Sequence, residues 1–179
     1  MKEVRGLRKY SIPFKGLREG RHSYRYDIDK TFFDEFELSE IKAGNLIAEI
    51  NLFKEPQLLE MDFAIHGMVE VTCDRCLDIF NLPVQYTGRL FFKFGEESGE
   101  LSDEIIILNT GLTEINIAQY LYEFIHLSLP YTKIHPDLTD KPGCNPDMIK
   151  KLDLFTVKES GTENYDPRWD KLKEISNKN

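Results

Sequence analysis

Residues 45–54 read NLIAEINLFK, residues 61–72 read MDFAIHGMVEVT and residues 82–94 read LPVQYTGRLFFKF. In each stretch apolar side chains return at every second position. Leu46, Ala48, Ile50 and Leu52 point one way, with Glu49 and Asn51 the other. Met61, Phe63, Ile65, Val69 and Val71 form a second set; Leu82, Val84, Tyr86, Leu90, Phe92 and Phe94 form a third. A period of two sustained this long marks strands with one face on a core and one in water, an arrangement that antiparallel sheets accept. Gly67 and Gly88 fall on the apolar parity, where bends or bulges are expected. The expected fold class is α+β: mostly antiparallel β-sheet, sandwich- or barrel-like, with one main helix near 116–128 and a short C-terminal helix.

Outward from these strands, residues 9–14 and 22–27 read as two short strands. Asp29 is placed to cap a short helix running through Phe36, whose apolar side is Phe32, Phe33 and Phe36. Residues 96–103 are acidic and polar, hence a loop, and 104–108 form a continuous apolar run, hence a buried strand. Asn116 opens the main helix as N-cap, with Gln119 three residues on in capping-box spacing, and Leu129-Pro130 ends it. Residues 131–146 are rich in Pro, Asp and Gly and read as an irregular excursion. One or two helical turns follow at 148–154. A last helix starts at Asp166-Pro167. The chain is expected to be a single domain, 1–179, made of basic N-terminal strands (1–27), a core (28–130) and an irregular Cys-containing tail with a terminal helix (131–179).

The 179 residues carry a net charge of −8, which alone speaks against nucleic acid. The distribution is uneven. Residues 1–25 hold eight Lys/Arg and two acids, while the remainder holds 15 Lys/Arg and 29 acids. A basic arm on an acidic body points to an RNA or acidic-protein partner for the arm. Arg8, Lys9, Lys15, Arg18, Arg21 and Arg25 are the candidate nucleic-acid contacts. Tyr10, Tyr24 and Tyr26 interleave with them as in base-stacking platforms, the alternative being that Tyr24 and Tyr26 only pack in the sheet. The plainer reading is an edge strand blunted by charge. No run of about 18 apolar residues offers a membrane span. The N-terminus has no apolar signal region and the three cysteines do not make a disulfide framework, so a reduced, cytoplasmic protein is expected.

Cys73-Asp74-Arg75-Cys76 sits where one long strand stops and the next has not begun. Two thiolates at that spacing reach one tetrahedral ion, and such a pair is half of a zinc site. Cys144 and His135, together in the irregular excursion, are the candidates for the other two ligands. A thioredoxin-like redox pair needs a helix N-terminus in a βαβ unit, and the neighbours here are antiparallel strands. A reduced turn packing two small side chains is the third reading. The cofactor is therefore either none or zinc. Arg75, held in the turn, offers a planar fork to a phosphate and joins the candidate nucleic-acid contacts. Catalytic motifs are thin: there is no Gly-rich phosphate loop, no Gly-x-Ser-x-Gly and no His-Glu-x-x-His. No catalytic residue is assigned.

The order of motifs is more telling than any one of them. An alternating strand runs into Cys73-Asp74-Arg75-Cys76-Leu77, then come a strand pair, an acidic loop, Glu114-Ile115-Asn116, a helix ending Leu129-Pro130, a Cys-bearing tail and Asp166-Pro167-Arg168. This resembles the YceD family over about residues 9–175. The resemblance implies a role in accumulation of the large-subunit ribosomal RNA, with no known catalysis. Many members carry a second Cys-x-x-Cys in the tail; this chain keeps Cys144, with His135 upstream. Cys73, Arg75 and Cys76 carry over by motif, Cys144 by position, and His135 rests on its place in the excursion alone. The expected function is a non-enzymatic ribosome biogenesis factor that binds large-subunit rRNA or a ribosomal protein. Alternatives are an acidic module shielding a basic ribosomal protein, or a zinc-containing enzyme. No membrane partner is expected.

Overall fold

A computed structural model describes residues 5–37, 39–136 and 143–156. The chain divides into two units, Met1–Asn145 and Pro146–Asn179. In the first, a 3-10 helix (Arg5–Tyr10) leads into β1 (Ser11–Pro13), then β2 (Gly20–Ile28), helix α1 (Lys30–Asp34), β3 (Ala43–Lys54), β4 (Leu58–Thr72), β5 (Ile79–Gly95), β6 (Gly99–Ser102), β7 (Ile105–Asn109), β8 (Glu114–Asn116) and helix α2 (Ala118–Leu127). The second unit contributes helix α3 (Pro146–Phe155), whose Leu154 and Phe155 are exposed. The helix expected at Asp166-Pro167 lies outside the described residues.

β2 to β7 form one six-stranded sheet in the order β2-β3-β4-β5-β7-β6, and β1 pairs with β8 in a separate ribbon. The class is α+β and the sheet does not close into a barrel. The three alternating stretches are its long central strands, paired antiparallel. Their apolar parity is the buried one: Leu46, Ala48, Ile50, Leu52, Met61, Phe63, Ile65, Val69 and Val71 are all shielded from solvent. Each fully buried Leu, Ile or Phe contributes about 1.5–3 kcal/mol relative to exposure. Helix α2 lies on this face. Its Phe124 ring packs against Phe63 at 5.1 Å and Tyr86 at 4.6 Å, and Leu121 and Ile125 are fully buried.

Local expectations are corrected at residues 9–14, in the acidic loop and at Asn116, and the direction of β7 is new. Residues 9–14 are not one strand. The 3-10 helix turns Tyr10 into the core, where its ring meets Tyr26 at 5.5 Å and Phe32 at 5.0 Å, and only Ser11–Pro13 pairs. The acidic loop contains β6, every residue of which is exposed; a strand with no buried face carries no alternation to read. β7 runs parallel to β5, because the chain passes through β6 first and returns between the two. Asn116 lies in β8 and Ile117 takes the N-cap position of α2. The Asn116 Oδ1 still accepts from Ala118 N at 2.9 Å, but Gln119 turns away to donate to Glu123 at 2.8 Å, so no capping box forms. Asp29 does cap α1, accepting from Thr31 N at 3.0 Å.

Gly67 makes no bulge: pairing runs unbroken through Leu46, Gly67 and Val84. Its φ is +151°, and a Cβ there would collide with the backbone of Asn45 and Leu46 on β3. Glycine at this point lets two strands approach where a side chain would force them apart.

Candidate metal centre and the basic arm

Between Thr72 of β4 and Ile79 of β5 the chain makes a tight turn. Cys73 N donates to Asp78 O at 2.9 Å, and Leu77 N donates back to Cys73 O at 3.0 Å. Leu77 has φ +65°, the only positive φ at a non-glycine among the described residues. A branched side chain in that region costs about 1 kcal/mol, which the surrounding bonds must hold. The turn buries both Cys73 and Cys76.

The excursion after α2 is fastened onto this turn. Asp74 N donates to Lys133 O at 2.7 Å, and Lys133 N donates to the Asp74 carboxylate at 2.6 Å. Asn145 Nδ2 donates to Asp78 at 3.1 Å. The His135 ring lies 4.6 Å from that of Phe80. These contacts bring residues distant in sequence to one point. Cys73 Sγ lies 3.7 Å from Cys144 Sγ, and Cys76 Sγ lies 3.4 Å from His135 Nδ1. All four ligand atoms lie within 4.8 Å of one another.

The spacing can be tested against a tetrahedral ion. Zn–S bonds of about 2.3 Å and Zn–N bonds of about 2.0 Å imply ligand-to-ligand edges of roughly 3.8 Å for S–S and 3.5 Å for S–N. The observed 3.7 and 3.4 Å match those edges, and 3.7 Å is far too long for a disulfide. The electrostatics agree. Burial alone would raise the Cys73 thiol. The backbone N–H groups of Cys76, Arg75 and His135, with the His135 side chain, outweigh burial and bring it down to about 6. Cys144 is pushed up to about 11, first by burial and then by the neighbouring thiols. One thiolate is thus prepared while a second resists ionising beside it, a conflict that a dication removes. The Cys3His set is compatible with zinc.

Arg75 is exposed at the turn and makes no ion pair among the described residues. Asp74 is occupied by Lys133 and Asp78 by Asn145. The arm residues lie elsewhere. Arg8 and Lys9 are on the 3-10 helix, with the Lys9 ammonium 5.0 Å over the Tyr10 ring. Arg21 and Arg25 point outward from edge strand β2, and Arg25 lies 3.8 Å from Glu49 in an exposed pair. Lys15, Arg18 and Arg21 make no ion pair among the described residues. The same alternation turns Tyr24 and Tyr26 inward, half-buried against the core, and Tyr10 is fully buried. The three tyrosines are therefore core side chains, not an exposed stacking platform.

Lys54 is a residue that no motif flagged: its ammonium donates to Phe14 O and Leu17 O, each at 2.9 Å, and pins the turn between β1 and β2. Arg21 and the cysteine turn lie at opposite ends of the sheet. Arg21 is opposite Phe53, which is opposite Glu60, and thirteen positions of chain separate Glu60 from Cys73, about 40 Å of strand. Lys15, Arg18 and Arg21 meet the β3–β4 end of the sheet and the cysteines close the β4–β5 end, while Arg8 and Lys9 sit on the 3-10 helix beside α1.

A family model, described as large ribosomal RNA subunit accumulation protein YceD, matches residues 61–176. The chain belongs to the YceD family. The YceD match takes in the cysteine turn, α2, His135 and Cys144, and stops short of the basic arm. The family name implies a role in accumulation of the large-subunit ribosomal RNA. Searches of curated proteins and of solved structures returned no match. No helix among the described residues is long and apolar enough to cross a membrane.

Proposed function

We propose that this chain is a non-enzymatic, cytoplasmic ribosome biogenesis factor that binds large-subunit rRNA through its basic arm. The observation that carries this reading is that Lys15, Arg18 and Arg21 make no ion pair among the described residues, in a chain whose net charge is −8. Cations left unpaired on an acidic body are available to phosphates. Arg25, farther along β2, extends the same contact, Arg8 and Lys9 on the 3-10 helix add to it, and Arg75 gives a separate one at the cysteine turn. The four-ligand corner holds a structural zinc ion. Four protein ligands complete a tetrahedral shell, the arrangement of structural rather than catalytic sites.

The test is RNA binding by the full chain against salt. Affinity for rRNA fragments should fall steeply as salt rises, and charge reversal at Arg18, Arg21 and Arg25 should flatten that dependence. Undiminished binding by the triple variant would make the arm structural. The 29 acids against 15 Lys/Arg outside the first 25 residues favour the second reading, a shield for a basic ribosomal protein. Competition between RNA and that protein separates the two.

A further inference from the structure

The outer face of the sheet carries a feature that the basic arm does not explain. At the arm end an open groove of about 540 Å³ is lined by Arg21, Ser23, Asn51, Phe53, Asp62 and Arg89. Phe53 stands on the solvent face of β3 with 37% of its surface exposed, unlike the inward-facing aromatics of the same sheet. A second depression continues the groove across the sheet past Ala64 and Thr87, sharing Asn51, Asp62 and Arg89 with the first.

The charges here are sorted. Arg89 donates from Nε to Asp62 at 2.6 Å and lies 2.8 Å from Glu60, so one guanidinium engages both acids of the groove and Arg21 balances the remaining negative charge. Arg21 lines the groove with no ion pair among the described residues, and Lys15 and Arg18 are exposed on the turn that precedes β2. Ser23 donates to Asn51 at 2.8 Å, fixing the orientation of that amide and leaving its N–H2 free to donate. An exposed aromatic ring, an unpaired cation beside it and a fixed amide are the parts that hold an unstacked nucleotide: a face for the base, a charge for the phosphate, an edge for specificity.

We propose that this groove binds single-stranded RNA, with one base stacked on Phe53 and the adjoining phosphate on Arg21. The inference rests on the RNA reading of the arm and adds the class of RNA and the side chains that receive it. A duplex keeps its bases stacked on one another and has no face to offer Phe53.

The full chain is titrated with a fluorescently labelled, unstructured RNA oligomer and with a duplex of equal charge. Phe53→Ala should weaken single-strand binding about tenfold and leave the salt dependence unchanged; circular dichroism confirms the fold. A Phe53→Trp variant in a Trp169→Phe background should keep its affinity, and its fluorescence should be quenched by the single strand and not by the duplex. Wild-type affinity in Phe53→Ala, or quenching by the duplex alone, overturns the proposal. If the Arg18, Arg21, Arg25 reversal weakens binding while Phe53→Ala does not, the groove fails and the arm reading stands. If the wild-type chain binds no RNA, both fail. A basic ribosomal-protein peptide that quenches the introduced indole where RNA does not also overturns it.

Discussion

At the corner between β4 and β5 four ligand atoms lie within 4.8 Å of one another, two of them on fully buried cysteines. At the opposite end of the sheet Lys15, Arg18 and Arg21 are exposed, and Arg21 lines an open groove. The corner gathers Cys73 and Cys144 across 71 residues of chain, Cys73 held by backbone hydrogen bonds and Cys144 followed by Asn145, which donates to Asp78. In the arm Lys15, Arg18 and Arg21 make no ion pair among the described residues. The contrast separates two kinds of recognition. A small dication needs ligands fixed to a fraction of an ångström, so its site is short-ranged and largely insensitive to salt. A polyanion needs only a field and a few faces, so its site is spread out and screened.

The largest effect expected at either end comes from removing a ligand. On the zinc reading, Cys76→Ser should take zinc content from one ion per chain to near zero and lower stability by several kcal/mol, because binding of a structural metal is folding energy. Metal analysis and thermal unfolding measure both, and RNA affinity at the far end should barely change. A variant that keeps one zinc per chain removes Cys76 from the ligand set. Next in size is the reversal of Arg18, Arg21 and Arg25 to Glu. RNA affinity at low salt should fall by about a hundredfold while the unfolding temperature moves little. A large loss of zinc in this variant would mean that the two ends are coupled.

Smaller still is the pH response of the chain stripped of metal by a chelator. The Cys73 thiol sits at about 6 against an ordinary 9.0, so its contribution is full above pH 9 and is lost as pH falls to 6. Cys144, raised to about 11, works the other way and removes stability as pH rises from 9 to 11. Unfolding midpoints of the metal-free chain should therefore climb from pH 6 to 9, and Cys73→Ser should flatten that climb. An equal slope in the variant would show that the thiolate is not held by the turn. The smallest effect is at Leu77. Leu77→Gly relieves the positive φ and should stabilise the corner by about 1 kcal/mol or somewhat less, since glycine also loosens the unfolded chain. Denaturant midpoints read this, and a destabilised variant would show that the exposed leucine side chain contributes packing there.

Much of the sheet was legible because one of its faces is buried. Leu46 to Leu52 and Met61 to Val71 alternate for no other reason, and the parity of every one of these residues matches its burial. β6 was illegible for the complementary reason, since Gly99–Ser102 are exposed on both faces. For Tyr24 and Tyr26 both readings stayed open, because interleaving with Arg21 and Arg25 looks the same whether the rings face RNA or the core; only the inward parity of β2 separates the two. At the candidate metal centre the Cys73/Cys76 pair announces itself by spacing. Cys144 and His135 do not, and follow only from a shortage of other ligands in the loops.

The amino-acid order alone settled which side chains face the core along the long strands, where the two-thiol turn falls, and which end of the chain is basic. Those are consequences of the two-residue repeat of a strand and of composition, and neither depends on what the chain folds against. Tertiary structure alone decided that His135 and Cys144 reach the turn, that Lys54 holds the arm by backbone carbonyls, that Phe53 lies exposed beside Arg21, and that the basic end and the thiol end are separated by the length of β4. Each of these is a meeting of residues far apart in sequence, and the path of the chain between them is set by how the whole core packs.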